Sequence, residues 1–449
     1  MDEDDVKIKI CSKYYLYILM TSLFFILKSS ILGFSEIDID TNTNIFGINV
    51  ILKEHIFIKI FLEYFGYIFF GLIFLFIFYK KQFKQESNTQ LERKNSFLFG
   101  DFKIQKRALI LLLIACTFFA IQLIVRSILF FFNTWKLDMW IFNIIFINIF
   151  MKYIMNIPIY KHQLYILIFI FSANIILIIV SSSIKYDGKD LSFYESLIEI
   201  YEGPACIIIF YIIYLILSAL ICSSQVFQKK LMDSYYISPL TIIFVIGIIS
   251  AFFTLIVLII TSSVNCGEYF SNIDICQISY TNFKNNNTFI DNFSIYLKKM
   301  NDKHKMDNKG FYIEIFLVYP FYSFACFIKY FYETLVVLYL NPNFVVISDI
   351  IYYSIRMVII LIYNPSDITT YLTLFGEIIA LSGYCFYLEI FEIKFCGLNR
   401  DTKNKISERG ILERINDKKI NIDEEEDDIR DENTYDEENK IKEDNEVYN

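Results

Sequence analysis

The chain has 449 residues, 55% of them hydrophobic and 18% aromatic, and a formal net charge of -8. So much apolar character excludes a disordered chain and points to an integral membrane protein. The negative charge says little about the body of the chain, because the acidic excess lies largely in the run that starts at Asp423.

A bilayer core is about 30 Å thick, so a crossing helix needs about 20 apolar residues. Ten stretches of that kind fill the chain, at 14–33, 56–79, 108–132, 137–156, 163–183, 204–224, 238–262, 312–335, 344–363 and 368–391. They are apolar on all sides, whereas a helix at the surface of a soluble core keeps a polar face. The first stretch is longer than a signal h-region and no A-x-A-like site follows it, so it is expected to stay as an uncleaved helix. It carries Lys28, and the second carries Glu63. Between the second and third, Lys80 to Arg107 holds eight Lys and Arg residues. Dense basic charge beside a span favours the cytosolic side. The third stretch carries Arg126, and the fourth carries several Asn residues.

After the fifth stretch comes an acidic segment, 184–202, expected on the luminal side; the turn Gln228–Lys230 returns to the cytosol. The long loop 263–311 is again luminal. It contains both usable N-glycosylation sequons, at Asn286 and Asn292, and the pair Cys266 and Cys276. In an oxidising lumen these two cysteines form either a disulfide or two free thiols. The eighth stretch contains Pro320, which should bend it, flanked by Tyr319, Tyr322 and Ser323. Lys329 and Glu333, four residues apart near its end, are expected to pair along one helix face as an interfacial anchor. Asp349 and Arg356 lie in the ninth stretch and Glu377 in the tenth, where Gly376 and Gly383 share a face; Gly247 in the seventh allows close helix contact.

The expected fold is therefore an all-α integral membrane protein of about ten transmembrane helices. An even number of spans places both termini in the cytosol. The divisions are a cytosolic N-terminus at 1–13, a five-helix repeat at 14–183, a luminal linker at 184–202, a second five-helix repeat at 203–395, and an acidic, disordered cytosolic tail at 396–449. Five spans per half give the halves opposite orientation, the layout of inverted-repeat carriers. Asn133-Thr134-Trp135 and Asn341-Pro342-Asn343 stand at corresponding places in the two halves, as do Asn156-Ile157-Pro158 and Asn364-Pro365-Ser366.

An ionisable side chain inside a bilayer costs a few kcal/mol, about 3 on insertion scales, and persists when paired, hydrated or used. Arg356, Lys28, Arg126, Glu377, Glu63 and Asp349, with Tyr322, are the candidate substrate-binding residues. Arg356 and Glu377 form either a structural ion pair or part of a polar cavity. In the second reading Arg356 and Arg126 would hold an anion, since a guanidinium fork matches phosphate or carboxylate. Glu377 or Glu63 would then couple transport to protons. Nucleotide-binding loops, zinc-protease and serine-hydrolase motifs are absent, the three histidines lie far apart, and no cysteine pair has metal-type spacing. No catalytic residue, metal site or cofactor is expected.

The stretches Val226–Ser250 (VFQKKLMDSYYISPLTIIFVIGIIS), Tyr339–Ile360 (YLNPNFVVISDIIYYSIRMVII) and Leu374–Ile393 (LFGEIIALSGYCFYLEIFEI) resemble the junction of helices six and seven, the entry to helix nine and the closing helix of the drug/metabolite transporter superfamily, in particular its nucleotide-sugar-transporter-like and EamA-like members. The resemblance covers residues 14 to about 395 in topology and is weakest in the first half. It implies a secondary-active carrier of a small organic metabolite, a nucleotide sugar or other anion among the options, working by alternating access in the Golgi, ER or a vacuole. The expected partners are a small-molecule substrate and the lipid bilayer, not nucleic acid, with a homodimer left open. The competing reading is a membrane-embedded transferase using a lipid-linked substrate.

Overall fold

The computed structural model describes residues 15–28, 55–86, 96–99, 102–131, 142–183, 205–263, 293–363 and 368–387. Apart from one short hairpin, the described residues with regular structure are helical. The helices are α1 (Tyr15–Lys28), α2 (Ile56–Glu86), α3 (Lys106–Phe131), α4 (Phe142–Met155), α5 (Lys161–Ser183), α6 (Ala205–Tyr235), α7 (Pro239–Ser263), α8 (Phe293–Met306), α9 (Asn308–Tyr339), α10 (Asn343–Tyr363) and α11 (Ile368–Tyr387). A helix thus lies in each of the ten segments expected to be helical, and α8 is an addition. Among the described residues six helices are long and apolar enough to cross a membrane: Ile56–Ile77, Lys106–Leu129, Ile207–Tyr235, Pro239–Ser263, Asn308–Tyr339 and Asn343–Ile362. Tyr15–Lys28, Phe142–Met155 and Lys161–Leu177 are apolar but shorter.

Three expectations need correction. The basic stretch 80–107 is not simply a loop. Helix α2 runs on to Glu86, and Ser96–Phe99 (β1) pairs antiparallel with Phe102–Gln105 (β2), Phe97 opposite Ile104 and Phe99 opposite Phe102. The segment 263–311 contains α8, so it is not wholly loop. The eighth span is longer than its apolar core suggests, because α9 extends from Asn308 to Tyr339.

The chain divides into two units, 1–158 with 169–383, and 159–168 with 384–449. In the first, α2 packs along α7 and α9, α3 along α6 and α7, α4 along α6, and α10 against α9 and α4. Glycine sets the closest approaches. A Cβ at Gly66 would lie 2.7 Å from the Ser323 carbonyl oxygen, and one at Gly247 would lie 2.9 Å from the Tyr67 Cβ. Helix α1 lies against α9 and α10. Tyr17 stacks on Tyr339 with ring centroids 5.7 Å apart, and the Ser22 hydroxyl donates to the Ser348 carbonyl at 3.1 Å. In the second unit Tyr160 stacks with His162, and Tyr384 meets Tyr387 edge to face.

Helix ends are closed locally. Asn156 after α4 and Tyr236 after α6 are left-handed, at φ 57° and 55°. The amides that follow, of Ile157 and Ile237, bond back to Met151 and Leu231. Lysines on α6 close two neighbouring ends. Lys229 Nζ donates to the Leu338 carbonyl at 2.6 Å and Lys230 Nζ to the Ile154 carbonyl at 3.0 Å. Cations belong at helix C-termini, where the orphan carbonyls concentrate negative partial charge.

Helix α9 is irregular where the sequence predicts a bend. Pro320 has no amide hydrogen and its ring crowds the preceding turn, so the usual hydrogen-bond ladder cannot run through it. Residues Glu314–Val318, just before it, form a π-helical turn. Widening the turn is a known way to accommodate such a break.

Candidate functional site

The site is built on one face of α9. Tyr322, Cys326, Lys329 and Glu333 recur at helical spacing, so they share a stripe. Tyr322 and Cys326 are fully buried and Glu333 is 7% exposed. The stripe meets α1 and α2. Lys28 Nζ of α1 lies 2.6 Å from Glu63 Oε2 of α2. The same carboxylate accepts the Tyr67 hydroxyl at 2.7 Å on Oε1 and the Tyr322 hydroxyl at 3.3 Å on Oε2. Two phenols and one ammonium therefore satisfy Glu63, which is how an ionised carboxylate survives burial. One turn further along α9 from Cys326, Lys329 Nζ lies 2.5 Å from Glu333 Oε2 and 4.9 Å from the ring centroid of Phe25. The second pair thus borders α1 as well.

The two pairs interact. Lys329 feels the charges of Lys28 and Asp349 besides that of Glu333. Asp349 in turn feels Arg126, and Glu377 feels Asp349. Of the residues singled out in the sequence, the structure therefore joins Lys28, Glu63 and Tyr322 by direct contact. It connects Asp349, Arg126 and Glu377 through longer-range electrostatics. Arg356 lies on α10 two turns beyond Asp349 and is half-buried. Glu377 is 4% exposed, and its Oε2 has no hydrogen-bond partner among the described residues.

Lys329 and Glu333 do pair, as their spacing predicts. Their side chains are only 15% and 9% exposed. Tyr67 was not recognised from sequence, although its position four residues after Glu63 on a helix was the available signal.

A second polar group adjoins the first through stacked rings. Tyr67 stacks on Tyr330 at 5.2 Å. Gln228 Nε2 reaches the Tyr330 hydroxyl at 3.1 Å and the Ser224 hydroxyl at 3.2 Å, and Ser224 donates to the Ala115 carbonyl at 2.8 Å. Further along, the buried amides of Asn148 on α4 and Asn343 on α10 face each other at 3.3 to 3.4 Å.

At the other end of α9 the π-turn carries its own cluster. Glu314 is fully buried, is paired with Lys303 of α8, and accepts the Tyr319 hydroxyl at 2.6 Å. The Tyr296 hydroxyl of α8 donates to Tyr319 at 2.9 Å. Burial raises the Tyr296 phenol above its ordinary range.

No group of three or more His, Cys, Asp or Glu among the described residues is placed to hold a metal ion. Cys116, Cys222, Cys326 and Cys385 are free thiols. Cys266, Cys276, Asn286, Asn292, the linker 184–202 and the tail 396–449 lie outside the described residues.

The six apolar helices of spanning length among the described residues make this a multi-pass membrane protein. No protein-family model matches the chain, and no curated protein matches it either.

Proposed function

We propose that this protein is a secondary-active carrier of a small organic metabolite. The single observation that carries this reading is the Lys28–Glu63 pair, held by Tyr67 and Tyr322, between three apolar helices. Buried charge of this kind is costly in a membrane and is characteristic of substrate or ion pathways. In this reading ten helices span the bilayer as two inverted halves, 14–183 and 203–395, and alternate access to the cluster. Both termini face the cytosol, the loop 263–311 is luminal and glycosylated, and the membrane is that of the Golgi, ER or a vacuole. The likeness to drug/metabolite transporters supports the same arrangement and brings nucleotide sugars and other anions as candidate cargo.

The test is counterflow in proteoliposomes. Vesicles preloaded with one unlabelled metabolite should accumulate the labelled compound faster than empty vesicles. Protease shaving of doubly tagged protein should leave both tags on one side. Uptake without trans-stimulation across nucleotide sugars, nucleotides, amines and amino acids would defeat the carrier reading, and tags on opposite sides would defeat the topology.

A further inference from the structure

We infer that the cargo is a zwitterion, a molecule carrying an ammonium and a carboxylate together; this rests on the carrier reading. The sequence alone favours an anion, because it shows Lys28, Arg126 and Arg356 as cations within spans. The structure changes the balance. Lys28 is neutralised by Glu63, and Lys329 by Glu333, at 2.6 and 2.5 Å. The two lysines and two glutamates that line α1, α2 and α9 are therefore balanced, two against two.

Balance constrains what can bind. An anion that takes the ammonium of Lys28 releases Glu63 as an uncompensated carboxylate in a low-dielectric interior. A cation that takes Glu63 strands Lys28 in the same way. Leaving one member of a buried pair alone is far worse than removing both. A zwitterion avoids both penalties, because its carboxylate replaces Glu63 on the lysine while its ammonium replaces the lysine on Glu63. Tyr67 and Tyr322 keep two donors on Glu63 throughout the exchange. Side-chain exposures of 24% for Lys28 and 11% for Glu63 leave this pair the more accessible of the two for Lys28's part, against 15% for Lys329.

The full-length purified protein is tested with L-glutamine and glycylglycine as zwitterions, UMP as an anion and choline as a cation, by melting-temperature shift and by counterflow. The zwitterions should raise the melting temperature and exchange, whereas UMP and choline should do neither. Lys28→Gln/Glu63→Gln removes both charges together, so no lone charge is stranded, and should weaken zwitterion binding about tenfold or more. Lys329→Gln/Glu333→Gln supplies an independent neutral pair should the first fail to fold. Binding and exchange of UMP or choline, without the zwitterions, overturn this inference and leave a carrier. Zwitterion affinity unchanged in both neutral pairs also overturns it. Exchange of no probe of any class removes the carrier reading and the inference with it.

Discussion

Replacing Lys303 with Met should release α8 from the outer part of α9. The partner left behind, Glu314, is fully buried in the π-turn. Lys303 itself is 10% exposed at its side chain, so the pair is screened little by solvent. Breaking a buried pair from one side costs about 3 to 5 kcal/mol. Tyr319 still donates to Glu314 Oε1, which places the expected cost at the lower end, about 3 kcal/mol. At 1.4 kcal/mol per decade this is a rise of about a hundredfold in the local opening equilibrium. Amide hydrogen exchange over residues 293–306 reads that equilibrium directly. Lys303→Met/Glu314→Gln removes both charges and should exchange more slowly than the single variant. Exchange unaltered in Lys303→Met, or equally fast in the double variant, would refute the assignment of this pair as the fastening of α8.

Other outcomes follow from the same geometry. Gly66→Ala should lower thermal stability by about 1 to 3 kcal/mol, because the new Cβ meets the Ser323 backbone, whereas Gly71→Ala, with its nearest atom at 3.6 Å, should be nearly neutral. Tyr236→Gly should stabilise by about 1 kcal/mol, read as a higher melting temperature, since glycine adopts the left-handed turn without the Cβ clash. The stability supplied by Tyr296 should be constant below about pH 10, the unfolded phenol's range, and should be lost as pH rises through its higher folded value. The difference in melting temperature between the native protein and Tyr296→Phe, followed from pH 7 to 11, measures this; a difference that grows with pH would contradict it.

The helical character of each expected segment was legible because apolar runs have few alternatives in lipid, although among the described residues only six helices are long and apolar enough to cross a membrane. The added helix α8 was not, since its register is read only once Tyr296, Met300 and Lys303 are seen to face α9. Lys28 and Glu63 stood out individually, being charges in apolar runs. Their partnership did not, because it depends on how α1 and α2 lie side by side, which no local pattern encodes. The burial of Lys329 and Glu333 was hidden for a related reason, since it depends on how α1 lies against α9. The basic stretch 80–107 misled as well, as charge hid a helical extension and a hairpin.

Lys229 and Lys230 grip the trailing ends of α9 and α4 from α6, while the widened turn at Glu314–Val318 lies about 30 to 36 Å from Leu338 along the helix axis. A bundle buttoned at one rim and jointed near the other has little freedom in how it can splay. Movement would be concentrated beyond the joint, with the widened turn as its pivot and the buttoned rim held still.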